Sequence, residues 1–115
     1  MNVTPYQVAP NALQAGSGVK LNTNDCRMLS GFFLNGIAHF VFHSMREGGY
    51  AGINYNRLTV SSLTNQSNLF GLNGSDYCYP SVSSFGTDNT DQSVMIGFLK
   101  SNSSEYPSIR VVNCD

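Results

Sequence analysis

Residues 28–46 constrain the fold of this chain more than any other stretch, because an Asn35-Gly36 pair there separates two apolar segments. An Asn-Gly pair readily adopts the positive φ angles of a tight type I′ turn. Two apolar segments on either side of such a turn are typical of a β-hairpin. The stretch therefore predicts two antiparallel strands joined by a turn at residues 35 and 36.

The second strand of this hairpin is apolar on both faces. Because successive side chains of a strand point to opposite faces, Phe40 and Phe42 share one face. The other face carries Ile37, Val41 and Met45. One face can line the core, but a chain of 115 residues has little left to cover the second, so we expect copies of the chain to cover it. The residues expected at that subunit interface are Ile37, His39, Val41, His43 and Met45.

The rest of the chain also predicts β-structure. Gly, Ser and Asn interrupt it roughly every 8–12 residues, and no window shows sustained helical periodicity. We expect an all-β fold, an antiparallel and jelly-roll-like β-sandwich, over residues 25–115, and a connector or shoulder segment over residues 1–24. The other predicted strands cover residues 26–34, 57–63, 81–85, 93–100 and 108–113, with a short strand or loop at 50–56 and a short apolar piece at 69–72.

The charge pattern argues against two classes of partner. Charged residues make up 11% of the chain, less than half the usual share of about 25%, and the net charge is −1. The six basic residues are scattered and form no stripe for phosphate groups, so we expect no nucleic-acid partner. No apolar run approaches the ~20 residues that span a bilayer, so we expect no membrane insertion.

The cysteines, Cys26, Cys78 and Cys114, are odd in number and lack C-x-x-C spacing. This pattern argues against a complete disulfide framework and against a zinc site. Free thiols that pack as small apolar groups are favoured, and one bridge plus one free thiol is left open.

The sequence holds no recognisable catalytic or cofactor motif. G-x-S-x-G, G-x-G-x-x-G and G-x-x-x-x-G-K-[ST] are absent, and nothing places two carboxylates across a cleft. His39 and His43 would lie about 13 Å apart along a strand, at ~3.3 Å per residue, so they cannot share a metal within one chain. Hydrogen bonds at a subunit interface or at the surface are favoured for both over a metal held by the copies of a trimer. We expect no enzymatic activity, no cofactor and no metal.

Tyrosines and amide side chains gather in or beside the predicted loops. A tyrosine offers a flat apolar ring for stacking on a sugar and a hydroxyl for hydrogen bonding. Polar loops on a rigid β-scaffold are typical of surfaces that contact a glycan or a protein. The alternative is that several of these tyrosines close the core or fill an interface. The candidate ligand-binding residues are Tyr50, Asn54, Tyr55, Asn56, Asn73, Asp76, Tyr77 and Tyr79.

Four short features follow one another between residues 26 and 113. They are N-G-I at residues 35–37, L-F-G-L at residues 69–72, Y-C-Y-P at residues 77–80 and the two closing strands. Together they resemble the C-terminal head domain of phage tail-fibre and baseplate receptor-binding proteins, although Asn73 stands where that family often has proline. The resemblance implies a trimeric β-sandwich at a fibre tip that binds a host surface glycan or protein. It also implies a virion protein folded in the bacterial cytoplasm, which suits three unpaired thiols.

Three functions are consistent with these features. The first is a trimeric, non-enzymatic attachment domain at the tip of a phage tail fibre or a related device. The second is a monomeric carbohydrate-binding module or lectin of a secreted protein, for which we expect a disulfide and a second apolar face covered within the chain. The third is a structural capsid or pilus domain without a ligand. A thiol count under denaturing conditions separates the first function from the second.

Overall fold

A computed structural model describes residues 6–16 and 18–115, in which seven β-strands form two antiparallel sheets. The strands are β1 (Ser30–Leu34), β2 (Ile37–Met45), β3 (Ala51–Thr59), β4 (Thr64–Phe70), β5 (Asp76–Ser84), β6 (Val94–Asn102) and β7 (Glu105–Cys114). The first sheet contains β1 to β4, and the second contains β5 to β7. No α-helix occurs in the described residues, so none of them belongs to a helix that could cross a membrane. The prediction of an all-β fold is confirmed.

The two sheets pack against each other over one apolar core, with β5 lying against β1, β2 and β3. Neighbouring strands in each sheet follow chain order, so each sheet is a meander. A jelly roll is built from Greek keys, whose strands do not pair in chain order. The expected jelly-roll-like connectivity is therefore not the one observed. The buried members of the core are Val41, Ile53, Tyr55, Val82, Val94, Ile96 and Phe98.

The predicted hairpin is confirmed in β1 and β2. Asn35 and Gly36 both have positive φ, at 45° and 84°, and Leu34 pairs with Ile37 across the turn. The first strand is shorter than expected, because its pairing with β2 begins only at Ser30. The local turn chemistry of Asn-Gly thus set the register of this part of the first sheet.

Two other strands differ from the predicted bounds. The segments 50–56 and 57–63, predicted separately, form the single strand β3 up to Thr59, and residues 60–63 make the turn into β4. The loop expected at residues 73–80 is largely the start of β5, which begins at Asp76. A β-bulge between Cys78 and Ser81 interrupts this strand, and Tyr79 takes a positive φ of 52° within it. The bulge explains why the segment showed no regular alternation.

The inner face of β2 lies inside one chain. His39, Val41 and His43 are only 0–2% exposed, and Val41 belongs to the core between the sheets. The prediction that these three residues form a subunit interface is therefore wrong. Ile37 and Met45, at the two ends of the strand, are half-buried. The second sheet covers the face of β2 that was expected to need another copy of the chain. The sequence argument for self-association through this strand is therefore not supported.

The opposite face of β2 is covered at one end by the N-terminal segment. The ring of Tyr6 packs edge-on against Phe42 at 5.1 Å between centroids, and Phe42 is only 6% exposed. The backbone N–H of Met45 donates to the Gln7 carbonyl at 2.9 Å. Phe40, nearer the middle of this face, is half-buried.

Residues 6–16 and 18–24 of the predicted connector pack against the sheets. Ala12 and Leu21 form an isolated bridge, and Thr23 is fully buried. The Leu13 N–H donates to a carboxylate oxygen of Asp76 at 2.9 Å, and the Ala15 N–H donates to the Glu105 carbonyl at 3.2 Å. Residues 1–5 and 17 of that predicted segment lie outside the described residues.

Candidate binding site

Four of the predicted ligand-binding residues are buried. Asn54, Tyr55 and Asn56 lie within β3 and are 4%, 5% and 1% exposed, and Asp76 at the start of β5 is 2% exposed. They were expected in or beside loops because the sequence shows no clear alternation there. Each of the four uses its polar atoms within the chain, which argues against ligand contact for Asn54, Asn56 and Asp76. Tyr55 also lines a concavity of about 190 Å³ beside Arg57 and Cys114, so its predicted role stays a prediction.

Asn54 and Asn56 form a side-chain amide ladder on the outer face of the first sheet. Asn56 Nδ2 donates to Asn54 Oδ1 at 2.9 Å, and Asn65 Nδ2 donates to Asn56 Oδ1 at 3.0 Å. The Ser67 hydroxyl also donates to Asn54 Oδ1, at 3.1 Å. Because buried amides cost free energy unless they are paired, this ladder stabilises the β3–β4 pairing.

Asp76 fixes three parts of the chain to one another. One carboxylate oxygen accepts from the Leu13 N–H at 2.9 Å, and the other accepts from the Ala51 N–H at 2.9 Å. Asp76 thereby ties the N-terminal segment and the start of β3 to β5. Its carboxylate has a structural role and is turned away from solvent.

Tyr55 belongs to a polar network that joins the first sheet to the β5–β6 loop. Its hydroxyl accepts from Arg57 Nε at 2.7 Å and donates to His39 Nδ1 at 2.8 Å. His39 Nε2 donates to Gln92 Oε1 at 2.6 Å, and Gln92 Nε2 donates to the Leu34 carbonyl at 3.2 Å. Burial is the main cause that lowers the pKa of His39 and raises the pKa of Tyr55, so His39 stays neutral and Tyr55 stays protonated near neutral pH.

His43 and Tyr79 form a second polar contact between the sheets. His43 Nδ1 accepts from the Tyr79 backbone N–H at 2.9 Å, and His43 Nε2 donates to the Thr23 carbonyl. Burial is the main cause that lowers the pKa of His43. Tyr79 is 40% exposed, but its hydroxyl donates to the Asn22 carbonyl and its ring packs edge-on to His43. Tyr79 therefore holds the N-terminal segment in place.

Tyr77 closes one end of the core. Its ring stacks on Phe98 at 4.5 Å between centroids and meets Phe70 edge-on at 6.5 Å. The residue is half-buried, as expected from the alternative in which a tyrosine seals the core.

Tyr50 and Asn73, in contrast, come together at a concave surface. Arg46, Glu47 and Tyr50 from the β2–β3 turn line it on one side, and Asn73 from the β4–β5 connection lines it on the other. The concavity has a volume of about 690 Å³, within the range of ligand sites. We call this surface the Arg46 site. It holds two of the predicted ligand-binding residues.

Two tight turns build the Arg46 site. The Arg46 N–H donates to the Tyr50 carbonyl at 2.7 Å and closes the β2–β3 turn, in which Gly48 has a φ of 95°. On the other side, the Ser75 N–H donates to the Leu72 carbonyl at 3.0 Å. Each turn is anchored to strands of the sheets, so the lining side chains stand on a rigid scaffold.

The Arg46 guanidinium is only partly used by the protein. Nη2 donates to Asn73 Oδ1 at 3.0 Å, whereas Nε is buried and has no hydrogen-bond partner among the described residues. Within residues 6–16 and 18–115, no carboxylate lies close enough to Arg46 for an ion pair. A guanidinium carries several N–H donors in a planar fork that suits carboxylate and phosphate groups. Because Nε is buried, the donors that a ligand could reach are those of the two Nη atoms, of which Nη2 already donates to Asn73.

Gly52 and Gly71 form the cradle in which the Arg46 side chain lies. A Cβ on Gly71 would stand 2.5 Å from Arg46 Nε, and a Cβ on Gly52 would stand 2.7 Å from Arg46 Cδ. Any larger residue at either position would thus displace the arginine. These two glycines, one in β3 and one just after β4, leave room for the Arg46 side chain to pack closely against the backbone.

Arg46 is the residue of this candidate site that the sequence analysis did not single out. The residues after it, Glu47-Gly48-Gly49, were interpreted only as the end of a strand. The sequence signal was a basic residue two positions before a Gly-Gly pair and four positions before Tyr50. A second concavity of about 580 Å³ lies on the other side of the same turn, against Tyr6 and Gln7.

The described residues show no built site for metal or thiol chemistry. No group of three or more His, Cys, Asp or Glu side chains in that part of the chain could hold a metal ion. Cys26, Cys78 and Cys114 are free thiols. Burial raises the pKa of the Cys78 thiol to about 11, which keeps it protonated and unreactive near neutral pH.

Comparison of this chain with family models, with curated proteins and with solved structures gives no match.

Proposed function

We propose that this chain is a non-enzymatic attachment domain that binds a surface glycan or protein through the Arg46 site. The observation that carries the proposal is a concavity in which the Arg46 guanidinium, with one described hydrogen bond to Asn73 and no ion pair among the described residues, lies beside Tyr50. The two packed sheets act as a β-sandwich scaffold for these loops, the usual arrangement of binding modules.

We place the domain at the tip of a phage tail fibre or a related device, in a virion assembled in bacterial cytoplasm. The resemblance of residues 26–113 to the head domains of such fibres supports this placement. The three free thiols support it too, because thiols persist in a reducing compartment. The surface, rich in Asn, Ser, Thr and Gly and poor in charge, fits a particle protein.

We further propose that the domain forms a homotrimer, through a surface other than the one expected from the sequence. The outward side chains of Ile109 and Val111 on β7 are 78% and 55% exposed. β7, of ten residues, is also an edge strand of the second sheet, and the Ala15 N–H meets this strand only at its first residue, Glu105, among the described residues. A second copy is the favoured occupant, because a net charge of −1 produces little repulsion between copies.

The attachment proposal is tested by binding of the labelled domain to a glycan array and to a panel of intact bacteria. Tyr50→Ala and Asn73→Ala should abolish binding. Asn89→Ala is the matched control, because Asn89 is an exposed asparagine on the β5–β6 loop. Binding that is absent from every surface, or that survives both site variants, would contradict the proposal. A monomeric mass by light scattering at micromolar concentration would contradict the trimer alone.

The secreted lectin or carbohydrate-binding module is the second candidate, and it would use the same Arg46 site. The coverage of the β2 core face within one chain favours it, because a lone subunit can then be stable. Its expected disulfide is the discriminating feature. One free thiol after denaturation of the isolated protein would support the lectin, and three would support the particle protein. A trimer that binds nothing would instead indicate a structural capsid or pilus domain.

A further inference from the structure

We propose that the ligand of the Arg46 site is an anionic saccharide, whose carboxylate or phosphate group is bound by the Arg46 guanidinium. The inference rests on the proposed attachment function and adds to it the chemical class of the ligand. It follows from what Arg46 contacts, from what the other cations of the chain contact, and from the rings and amides beside it.

Arg46 differs from the other basic side chains for which contacts are described. Arg27 pairs with an aspartate at 2.7 Å, and Lys100 and Arg110 pair with one glutamate at 3.4 and 3.8 Å. Arg57 donates to the Tyr55 hydroxyl and to a backbone carbonyl. Arg46 and Arg57 are both half-buried without an ion pair within the described residues, but the Arg46 guanidinium makes one hydrogen bond, to a neutral amide oxygen, where that of Arg57 makes two. A partly desolvated cation with no counter-charge is unfavourable alone and favours an anion from outside.

The position of the guanidinium is set before any ligand arrives. The cradle of Gly52 and Gly71 fixes the stem, and Asn73 Oδ1 fixes Nη2. A positioned guanidinium loses little conformational freedom on binding, which raises affinity for a planar, two-oxygen acceptor.

The neighbours of Arg46 suit a sugar ring that carries the charge. Tyr50 supplies an aromatic ring and a hydroxyl on one wall of the concavity, and Asn73 supplies an amide N–H₂ on the other. Glu47 also lines the site and would repel an anion placed beside it, so the ligand's charge belongs on the Asn73 side. This arrangement favours a single anionic group on a larger neutral body over a dense polyanion.

The carboxylate arm of the test uses largely methyl-esterified polygalacturonate, in which isolated carboxylates lie on a neutral chain, and its fully methyl-esterified form. The phosphate arm uses phosphomannan and the same mannan after dephosphorylation. Dissociation constants are measured for the wild-type domain, for Arg46→Gln and for Arg110→Gln. Arg110→Gln is the matched control, because it removes one positive charge from an exposed arginine on β7 and leaves the Arg46 site intact.

We expect at least one acidic polymer to bind roughly tenfold or more tightly than its neutral form, which is the effect of one charge-assisted hydrogen-bonding group. Arg46→Gln should remove that preference, whereas Arg110→Gln should keep it. The arm that shows the preference identifies the carboxylate or the phosphate. The preference should also weaken with added salt. The net charge of −1 makes a non-specific attraction for polyanions a poor alternative.

Three outcomes would overturn the inference. They are equal binding of each acidic polymer and its neutral form, absence of binding to all four polymers, and an acid preference that Arg46→Gln leaves unchanged. Thermal unfolding of Arg46→Gln shows whether the variant is folded. Arg46→Lys keeps the positive charge but not the planar set of N–H donors, so it should retain only part of the preference for the acidic polymer. Tyr50-dependent attachment to neutral glycans would overturn this inference and leave the attachment proposal standing. Acid-selective binding without attachment to any cell surface would overturn the attachment proposal instead.

Discussion

Two arginines near opposite ends of β3 are in contrasting situations. Arg57 is held between the sheets, where Nε donates to the Tyr55 hydroxyl at 2.7 Å and Nη2 donates to the Gln92 carbonyl at 3.2 Å. Arg46 lies at the rim, with one hydrogen bond to Asn73 and a buried Nε that has no partner in the described residues. We interpret the Arg57 network, whose donors find partners within the chain, as stabilising the fold, and the less paired Arg46 guanidinium as the group that our proposal assigns to a ligand.

The largest effect should come from Val41→Asp, which puts a carboxylate into the core beside the paired network. An unpaired buried charge should lower the free energy of unfolding by more than about 4 kcal/mol, comparable with the whole stability of many small domains. Urea unfolding followed by circular dichroism measures this loss. A folded Val41→Asp variant whose only change is a smaller assembly mass would restore β2 as a subunit interface and contradict its place in the core.

Tyr55→Phe tests the paired network directly. The change should lower stability by about 1–3 kcal/mol, because His39 Nδ1 and Arg57 Nε both lose the hydroxyl that pairs them. Tyr106→Phe is the control, since Tyr106 is 72% exposed and its change should fall within about 0.5 kcal/mol. Equal effects of the two variants in urea unfolding would show that the network contributes nothing to stability.

The two buried histidines predict a loss of stability in mild acid. Burial lowers the pKa of His39 and of His43 below the usual value of 6.5, so the unfolded chain takes up these protons at a higher pH than the folded chain does. As the pH falls, the unfolded state therefore binds more protons than the folded state does. The stability from neutral histidines is complete above about pH 6.5 and is lost as the pH falls through the lowered folded-state pKa values.

Urea midpoints measured across this pH range test the prediction. His39→Gln should retain part of the paired network and show a shallower dependence on pH than the wild-type protein. A urea midpoint that rises on acidification would contradict neutral, buried histidines.

Substitutions of the two cradle glycines should separate an effect on stability from an effect on binding. Gly71→Ala should have the smallest effect on stability. Gly52→Ala would bring a Cβ to 2.9 Å from the Phe70 carbonyl oxygen, so we expect a loss of about 1–3 kcal/mol. Around Gly71 the nearest atoms all belong to the Arg46 side chain, which can move away, so Gly71→Ala should cost less than about 1 kcal/mol. Displacing the guanidinium should nevertheless weaken binding of an acidic saccharide about as much as Arg46→Gln does. Unchanged binding by Gly71→Ala would contradict a positioned arginine.

How far the sequence predicts this molecule depends on how local each feature is. The turn at Asn35 and Gly36 follows from two residues, and the hairpin around it was predicted correctly. The burial of Val41 depends on the distant strands β5 and β6, and no local pattern distinguishes a core face from an interface face. Phe42 is covered by Tyr6, which lies far away in the chain.

The binding site was predicted only in part, for the same reason. Tyr50 and Asn73 were singled out as residues whose chemistry suits a ligand, and the fold brings these two together. Arg46 was missed because its role depends on Gly52 and Gly71, which the β3–β4 pairing places under one side chain. Asn54 and Asn56 were wrongly assigned to the site because their ladder with β4 exists only in the folded sheet.

The most direct test of the contrast between the two arginines follows both Nε–H resonances in one nuclear magnetic resonance spectrum. Galacturonate is added to the labelled wild-type domain, and methyl galacturonate methyl ester serves as the neutral counterpart. The Arg46 Nε–H signal should move with the acid and not with the ester, and the Arg57 Nε–H signal, paired with Tyr55, should stay in place with both. An Arg46 signal that does not move, or that moves equally with the ester, would contradict the account.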